Sequence, residues 1–355
     1  MSDLAQQHSE SAVQLDHSLH IDNIVLDCPH NPIDPLGQVL KMPTLRYWSN
    51  DSLANKEGYT LLLIHCIGLH KETWTPLAEG IFRVQEGKSP HRRVREAWAF
   101  DWPSHGEAAE MNRALLANPL RKETACSVSE WGDHIAAFVR SDMAERRLVA
   151  IAHCGGCGAA MNSLKSFPLK SLPYTAVILI EPTITTRELY AIHRAPSKAK
   201  FVAATLRLPE QWPSRDAVMA AFLSWHARSE HWDLRVWKAY FDHAFNHRAD
   251  GTVTIRCKRW VEGASFLDIE PYFSALSQIE RVSGLLPIHY IWGTETFLPP
   301  EMQHAIVDSS KGRVAASITR VPGGGHCTPH ERPDGVVDSI CAVLDSPTGT
   351  VRSRL

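Results

Sequence analysis

Leu148-Val149-Ala150-Ile151-Ala152-His153-Cys154-Gly155-Gly156 runs from five consecutive apolar residues into a glycine pair. The apolar run is short and unbroken, which predicts a strand buried on both faces, as in a parallel sheet. Gly155 to Leu164 then reads as a helix. A residue on such a strand-to-helix bend sits in a tight, strained turn, and its neighbours two positions away must be small. Ala152 and Gly156 meet that need. The helix start behind the bend offers unpaired N–H groups and the positive end of a dipole. Both favour a thiolate, so Cys154 is a candidate nucleophile.

The same strand signature recurs at Tyr59 to His65, Glu96 to Asp101, Ala176 to Ile180, Ile288 to Trp292 and Ala316 to Val321. Leu19 to Leu26 and Val39 to Trp48 alternate weakly and predict an antiparallel entry hairpin. Helical spacing occupies Glu72 to Phe82, Ser129 to Arg140 and Gly335 to Leu344. Strands alternating with helices imply an open, mostly parallel sheet covered on both faces. Between Pro182 and Leu286 the pattern changes to Trp, His, Arg and Phe at helical spacing, as in Val218, Phe222, Trp225 and Val236, Tyr240, Phe241. This predicts a helical lid over the sheet's C-terminal edge, where ligands of such sheets bind. Most of its aromatics are expected to form the lid's own core. The expected division is an arm and entry hairpin (1–56), a first core part (57–182), the lid (183–286), a second core part (287–345) and a tail (346–355).

Composition narrows the function classes. The chain has 355 residues, 44% hydrophobic and 21% charged, which excludes collagen, low-complexity disorder and a small disulfide scaffold. A net charge of -2 and a pI near 6.8 give no electrostatic case for nucleic acid or an anionic membrane surface. No apolar run approaches the roughly 20 residues that span a bilayer. Met1 to Asp16 is polar and carries acids, unlike a secretory or transit peptide. The 8 scattered cysteines suggest reduced thiols. Ser353-Arg354-Leu355 fits a C-terminal peroxisomal address read by an import receptor. No cofactor is expected.

Two further segments belong with Cys154. Ile64-His65-Cys66-Ile67-Gly68 ends the first buried strand, where the backbone N–H groups of Ile67 and Gly155 are placed to stabilise an oxyanion. Pro322-Gly323-Gly324-Gly325-His326 follows the last strand, and its glycines let His326 swing toward the nucleophile as its base. Strand placement and the order nucleophile, acid, histidine predict an α/β-hydrolase fold with cysteine where serine is usual. Cys66 stands where that fold has glycine, so a tighter loop is expected. The usual acid position falls at Thr296, in Trp292-Gly293-Thr294-Glu295-Thr296-Phe297. The acid is then Glu181, after the strand Val177 to Ile180, with adjacent Glu295 as the second candidate. Cys154 and Cys157 also have dithiol spacing, but a redox site belongs near the start of a small domain, so Cys157 reads as helix packing. Cys28, Cys126, Cys257, Cys327 and Cys341 show no zinc spacing, and no metal site is expected.

His65-Cys66-Ile67-Gly68-Leu69-His70-Lys71-Glu72 resembles the HGVGLPKE-type loop of a largely peroxisomal group of fungal α/β-hydrolases. That group includes the mycophenolic-acid acyl-CoA hydrolase, hydrolases of toxin clusters and a yeast peroxisomal lipase. Asp101-Trp102, Leu179-Ile180-Glu181-Pro182, Trp212-Pro213-Ser214-Arg215 and Gly293 to Leu298 are similar too, so the resemblance spans about Arg46 to Leu344. It implies an acid at Glu181 and peroxisomal specialised metabolism. It also implies action on an ester, acyl-CoA thioester or lactone bond of an apolar metabolite. The sequence departs from the group in having Cys154 for serine and Glu181 for aspartate. A cysteine thioester is more open to amines, thiols and enolates, which leaves an acyltransferase or a lactone-forming cyclase as alternatives, beside a non-catalytic binding protein. Arg207, Arg215, Arg228 and Lys238 of the lid read as a solvated face rather than a coenzyme A phosphate site.

Overall fold

The computed structural model describes residues 19–121, 126–143, 145–229 and 232–346. The side chain of Trp225 and that of Arg228 lie outside this description, as do Met1 to Asp16 and the tripeptide Ser353-Arg354-Leu355.

Eleven strands are present among the described residues: β1 (His20–Asp27), β2 (Lys41–Trp48), β3 (Tyr59–Ile64), β4 (Val94–Phe100), β5 (Arg147–His153), β6 (Tyr174–Ile180), β7 (Gln211–Trp212), β8 (Phe245–His247), β9 (Val253–Ile255), β10 (Ile288–Gly293) and β11 (Ser317–Val321). Eight of them form one sheet in the order β1-β2-β4-β3-β5-β6-β10-β11. β1, β2 and β4 pair antiparallel, and every pair from β4 to β11 is parallel. This is the α/β-hydrolase fold, with helices on both faces.

The central strands read as unbroken apolar runs because both their faces are buried. Side chains of a strand alternate between faces. Leu62, Ile64, Ala150, Ala152, Val177 and Leu179 join one core cluster with the helices Val128–Asp142, Gly155–Ser163 and Glu270–Val282. Leu61, Leu63, Val149, Ile151, Ile178 and Ile180 join the other with the helices Thr75–Gln85 and Pro333–Asp345. Cys154 belongs to this second cluster, on the lid side.

The stretch between β6 and β10 differs in two ways from an all-helical lid. β7, β8 and β9 form a small antiparallel sheet inside it, in strands too short for a period-2 signal. The helix Glu270–Val282 belongs to the main core, where Asn162 Nδ2 donates to the Pro271 carbonyl at 2.8 Å. The lid's aromatics do pack on one another. Trp212 meets Phe245 edge-on at 5.6 Å, and Trp237 stacks on Tyr240 at 6.0 Å.

A buried ion cluster ties the loop after β3 to the end of β4. Lys71, fully buried, reaches Glu72 at 2.8 Å, Glu107 at 2.9 Å and Asp101 at 3.3 Å. Its backbone N–H also donates to Asp101 at 2.9 Å, as does that of Glu107. Removing one partner of such a cluster strands buried charge, at a cost of about 3–5 kcal/mol. Lys71→Met is expected to lower unfolding free energy by roughly that amount in urea titration. A loss below about 1 kcal/mol, the range of an exposed pair, would show that the cluster does not hold this loop.

Candidate active site

Cys154 sits on the bend between β5 and the helix Gly155–Ser163, at φ 50° and ψ -112°. Glu181, directly after β6, has φ 49°. Among the described residues these are the two non-glycine residues with positive φ. Each such conformation costs on the order of 1–3 kcal/mol and persists only where its surroundings impose it. Here the Cys154 N–H donates to the Ile180 carbonyl at 3.0 Å, and the Cys154 carbonyl accepts from Cys157 N–H at 3.1 Å. A Cβ on Gly156 would lie 2.4 Å from the His65 carbonyl oxygen, so glycine alone lets the helix close against the end of β3.

Glu181 is held from three sides. Its Oε1 accepts from Gly293 N–H at 2.7 Å, and its Oε2 from the Thr296 hydroxyl at 2.5 Å. The same Oε2 lies 3.1 Å from His326 Nδ1. The His326 ring also acts on the Cys154 thiol, through its charge and a side-chain hydrogen bond that lowers the thiol pKa. The structure therefore brings Cys154, His326 and Glu181 into one chain. It does not bring in Glu295, whose side chain is exposed and whose backbone N–H donates to the Gly324 carbonyl at 2.8 Å.

Thr296 is the residue that sequence reasoning passed over. It occupies the usual acid position and donates to the acid that arrives from β6. The available signal was its hydroxyl, which can donate where a carboxylate would repel Glu181. His153 was also passed over. Its Nε2 bonds the His326 carbonyl at 2.9 Å and pins the histidine loop beside the nucleophile. Gly293 lets the two loops touch, because a Cβ there would lie 1.9 Å from the Gly324 oxygen.

Gly155, one of the two predicted oxyanion donors, packs against the side chain of the other, Ile67. A Cβ on Gly155 would meet Ile67 Cγ1 at 3.0 Å and Tyr272 Oη at 3.2 Å, which sets the gap between them. Gly155 opens its helix, so its N–H has no intrahelical partner. The Ile67 N–H has no backbone acceptor among the described residues. Two residues after Cys66, Gly68 takes a positive φ of 81°.

Electrostatics separate the two cysteines of the helix start. Burial alone would raise the pKa of Cys154. The charge and hydrogen bond of His326, the charge of Arg194 and the Gly155 N–H outweigh it, and the thiol lies below the ordinary cysteine value. His326 moves the other way. Burial opposes its charge, but Cys154 and Glu181 raise it above ordinary histidine. A thiolate–imidazolium pair is the state these shifts favour. At Cys157 burial and the neighbouring charges of Cys154 and Glu181 outweigh the backbone hydrogen bonds, and its thiol is raised well above the ordinary value. Its Sγ lies 3.2 Å from the Ala152 carbonyl as a packing residue. Cys154 is buried, with 9% of its surface exposed. Among the described residues no group of three or more His, Cys, Asp or Glu is arranged to hold a metal ion.

A family model described as "Alpha/beta hydrolase family" matches residues 61–339. The chain belongs to the alpha/beta hydrolase family. Its enzyme class is accordingly hydrolase. No curated protein gives a significant sequence match to this hydrolase. Solved structures share its fold at low identity. The peroxisomal alpha-beta-hydrolase Lpx1 of Saccharomyces cerevisiae is 16% identical, with a TM-score of 0.71 over 95% of this chain and 92% of that one. E-2-(acetamidomethylene)succinate hydrolase is 16% identical, with a TM-score of 0.65 over 92% of this chain and 100% of that one. A thioesterase domain from the curacin biosynthetic pathway is 13% identical, with a TM-score of 0.60 over 92% and 100%. Two of the hydrolase's basic lid residues, Arg215 and Lys238, pair with Asp242 at 3.0 and 2.6 Å on the surface.

Proposed function

We propose that this hydrolase cleaves an ester, thioester or lactone bond through a covalent intermediate on Cys154, with His326 as its acid and base and Glu181 orienting His326. The hydrogen-bonded chain from Cys154 through His326 to the buried Glu181 carries the reading. The Cys154 thiolate attacks the carbonyl carbon, forming the C–S bond. The displaced electron pair moves to the carbonyl oxygen, between the N–H groups of Ile67 and Gly155. Collapse expels the alcohol or thiol, which takes its proton from the His326 imidazolium. Water then gives a proton to His326 as its oxygen attacks the thioester, and Cys154 leaves as thiolate. The aromatic lid and the family resemblance favour an apolar acyl group, including a coenzyme A thioester from fungal specialised metabolism. The tripeptide Ser353-Arg354-Leu355 supports delivery to peroxisomes by an import receptor.

Cysteine in place of serine favours a second outcome of the same intermediate. A thioester passes its acyl group to an amine, thiol or enolate more readily than an ester does, so acyl transfer or lactone formation uses the same residues. Intact-protein mass spectrometry with a panel of acyl thioesters and lactones tests the reading. The expected result is one acyl adduct, mapped to Cys154, that forms below the pH at which an ordinary thiol stops reacting. The sign follows from the lowered thiol and raised imidazole, which keep the ion pair populated as pH falls, until the thiolate itself is protonated. Product formation with no adduct at any pH would overturn the covalent mechanism.

A further inference from the structure

Arg194 favours the Cys154 thiolate by its charge but moves no proton and makes no bond in the steps above. It joins two lid helices, Arg187–His193 and Ala195–Leu206. Its guanidinium lies over the Phe297 ring at 5.9 Å, and that ring is 4.5 Å from the ring of His326. Its Nη1 is buried and has no hydrogen-bond partner among the described residues. No ion pair involving it occurs among the described residues. Burying a guanidinium N–H without an acceptor is costly, so a site that holds one there is incomplete until an acceptor arrives. The planar fork of arginine matches a carboxylate with two parallel hydrogen bonds.

We propose that Arg194 binds a carboxylate carried by the substrate's acyl group near the scissile carbonyl, so that the enzyme prefers half-thioesters or half-esters of dicarboxylic acids. This rests on the assignment of Cys154 as nucleophile and names its substrate class. The guanidinium lies over Phe297, whose ring lies against that of His326, which places the subsite beside the reacting bond. The phosphates of coenzyme A are held away from a thioester by the whole pantetheine arm, so the acyl side is the source that fits. An apolar remainder of the acyl chain is compatible with this, because Phe297 and Ile67 flank the same centre.

Two measurements on the full-length enzyme test this. The first is alkylation of Cys154 by iodoacetate and by iodoacetamide, mapped by peptide mass. His326 favours the anionic reagent in every variant, so the readout is the ratio of the two rates. Arg194→Gln is expected to lower the iodoacetate-to-iodoacetamide ratio by about tenfold, with Arg194→Lys in between. The second is turnover of succinyl against butyryl thioesters of N-acetylcysteamine, which carry no phosphate. The succinyl preference in kcat/KM is expected to fall by a similar factor, about tenfold, in Arg194→Gln.

A ratio unchanged within about twofold, or equal losses for both reagents and both thioesters, overturns the proposal. Equal losses would mean that Arg194 serves only the thiolate. An Arg194-dependent gain of butyryl-coenzyme A over butyryl-N-acetylcysteamine, without a succinyl preference, overturns it in favour of a phosphate. If Cys154 takes neither alkylating reagent nor an acyl group, the nucleophile assignment fails first. If both reagents label it at a ratio indifferent to Arg194, only the carboxylate site fails.

Discussion

Replacing Cys154 by alanine is expected to abolish the acyl adduct and to lower turnover of esters and thioesters by on the order of 10³-fold or more. The residue is the only group on the bend that can form the acyl bond, and its strained φ of 50° is imposed by the backbone rather than by its own side chain. Alanine therefore keeps the fold and the oxyanion donors while removing the nucleophile. What survives is the activity that Ile67, Gly155 and binding supply by themselves. Turnover within about tenfold of the parent would mean that His326 works directly on the substrate, which is the chemistry of a cyclase. Serine at the same position separates two further cases. It cannot form the thiolate–imidazolium pair, so it must be deprotonated as it attacks. Faster hydrolysis by Cys154→Ser would show that cysteine serves to divert the acyl group from water.

Replacing Glu181 by glutamine is expected to lower the rate of acylation by up to about 10⁴-fold, the loss seen when the acid of a triad is neutralised. The carboxylate accepts from Gly293 N–H, the Thr296 hydroxyl and His326 Nδ1 together. An amide has a single oxygen, so one turned to Gly293 leaves its NH₂ facing the histidine. The ring must then present an unprotonated Nδ1 there, and the opposite nitrogen carries a hydrogen toward the sulfur. The imidazolium also loses its buried counter-charge. Glu295→Gln is the control, since that side chain is exposed and its structural tie to Gly324 is made by its backbone. Its turnover is expected to stay within about twofold of the parent. Single-turnover acylation rates of the two variants decide between the acids, and unchanged turnover in Glu181→Gln with loss in Glu295→Gln would exchange them.

Much of the fold was legible because its signals are local. An unbroken apolar run such as Tyr59–Ile64 announces a strand buried on both faces. The glycines after Cys154 announce a helix start too close to its neighbour for a side chain, and the 2.4 Å that would separate a Cβ on Gly156 from the His65 carbonyl oxygen is its physical content. The little lid sheet was not legible, because two- and three-residue strands carry no period. The helix Glu270–Val282 was read with the lid because an apolar face does not say which core it joins.

Sequence by itself determined the strand succession, the bend at Cys154 and the order of the three candidate segments, since each rests on side chains within a few residues of one another. Only the tertiary structure decided which carboxylate faces His326, that Thr296 supports it, and that Arg194 Nη1 has no hydrogen-bond partner among the described residues. Glu181 is separated from Thr296 by 115 positions and from His326 by 145. Contacts at that range depend on how β6, β10 and the lid are laid side by side. Burial and hydrogen-bond geometry then tell a buried acid from an exposed one only after the chain has closed around it.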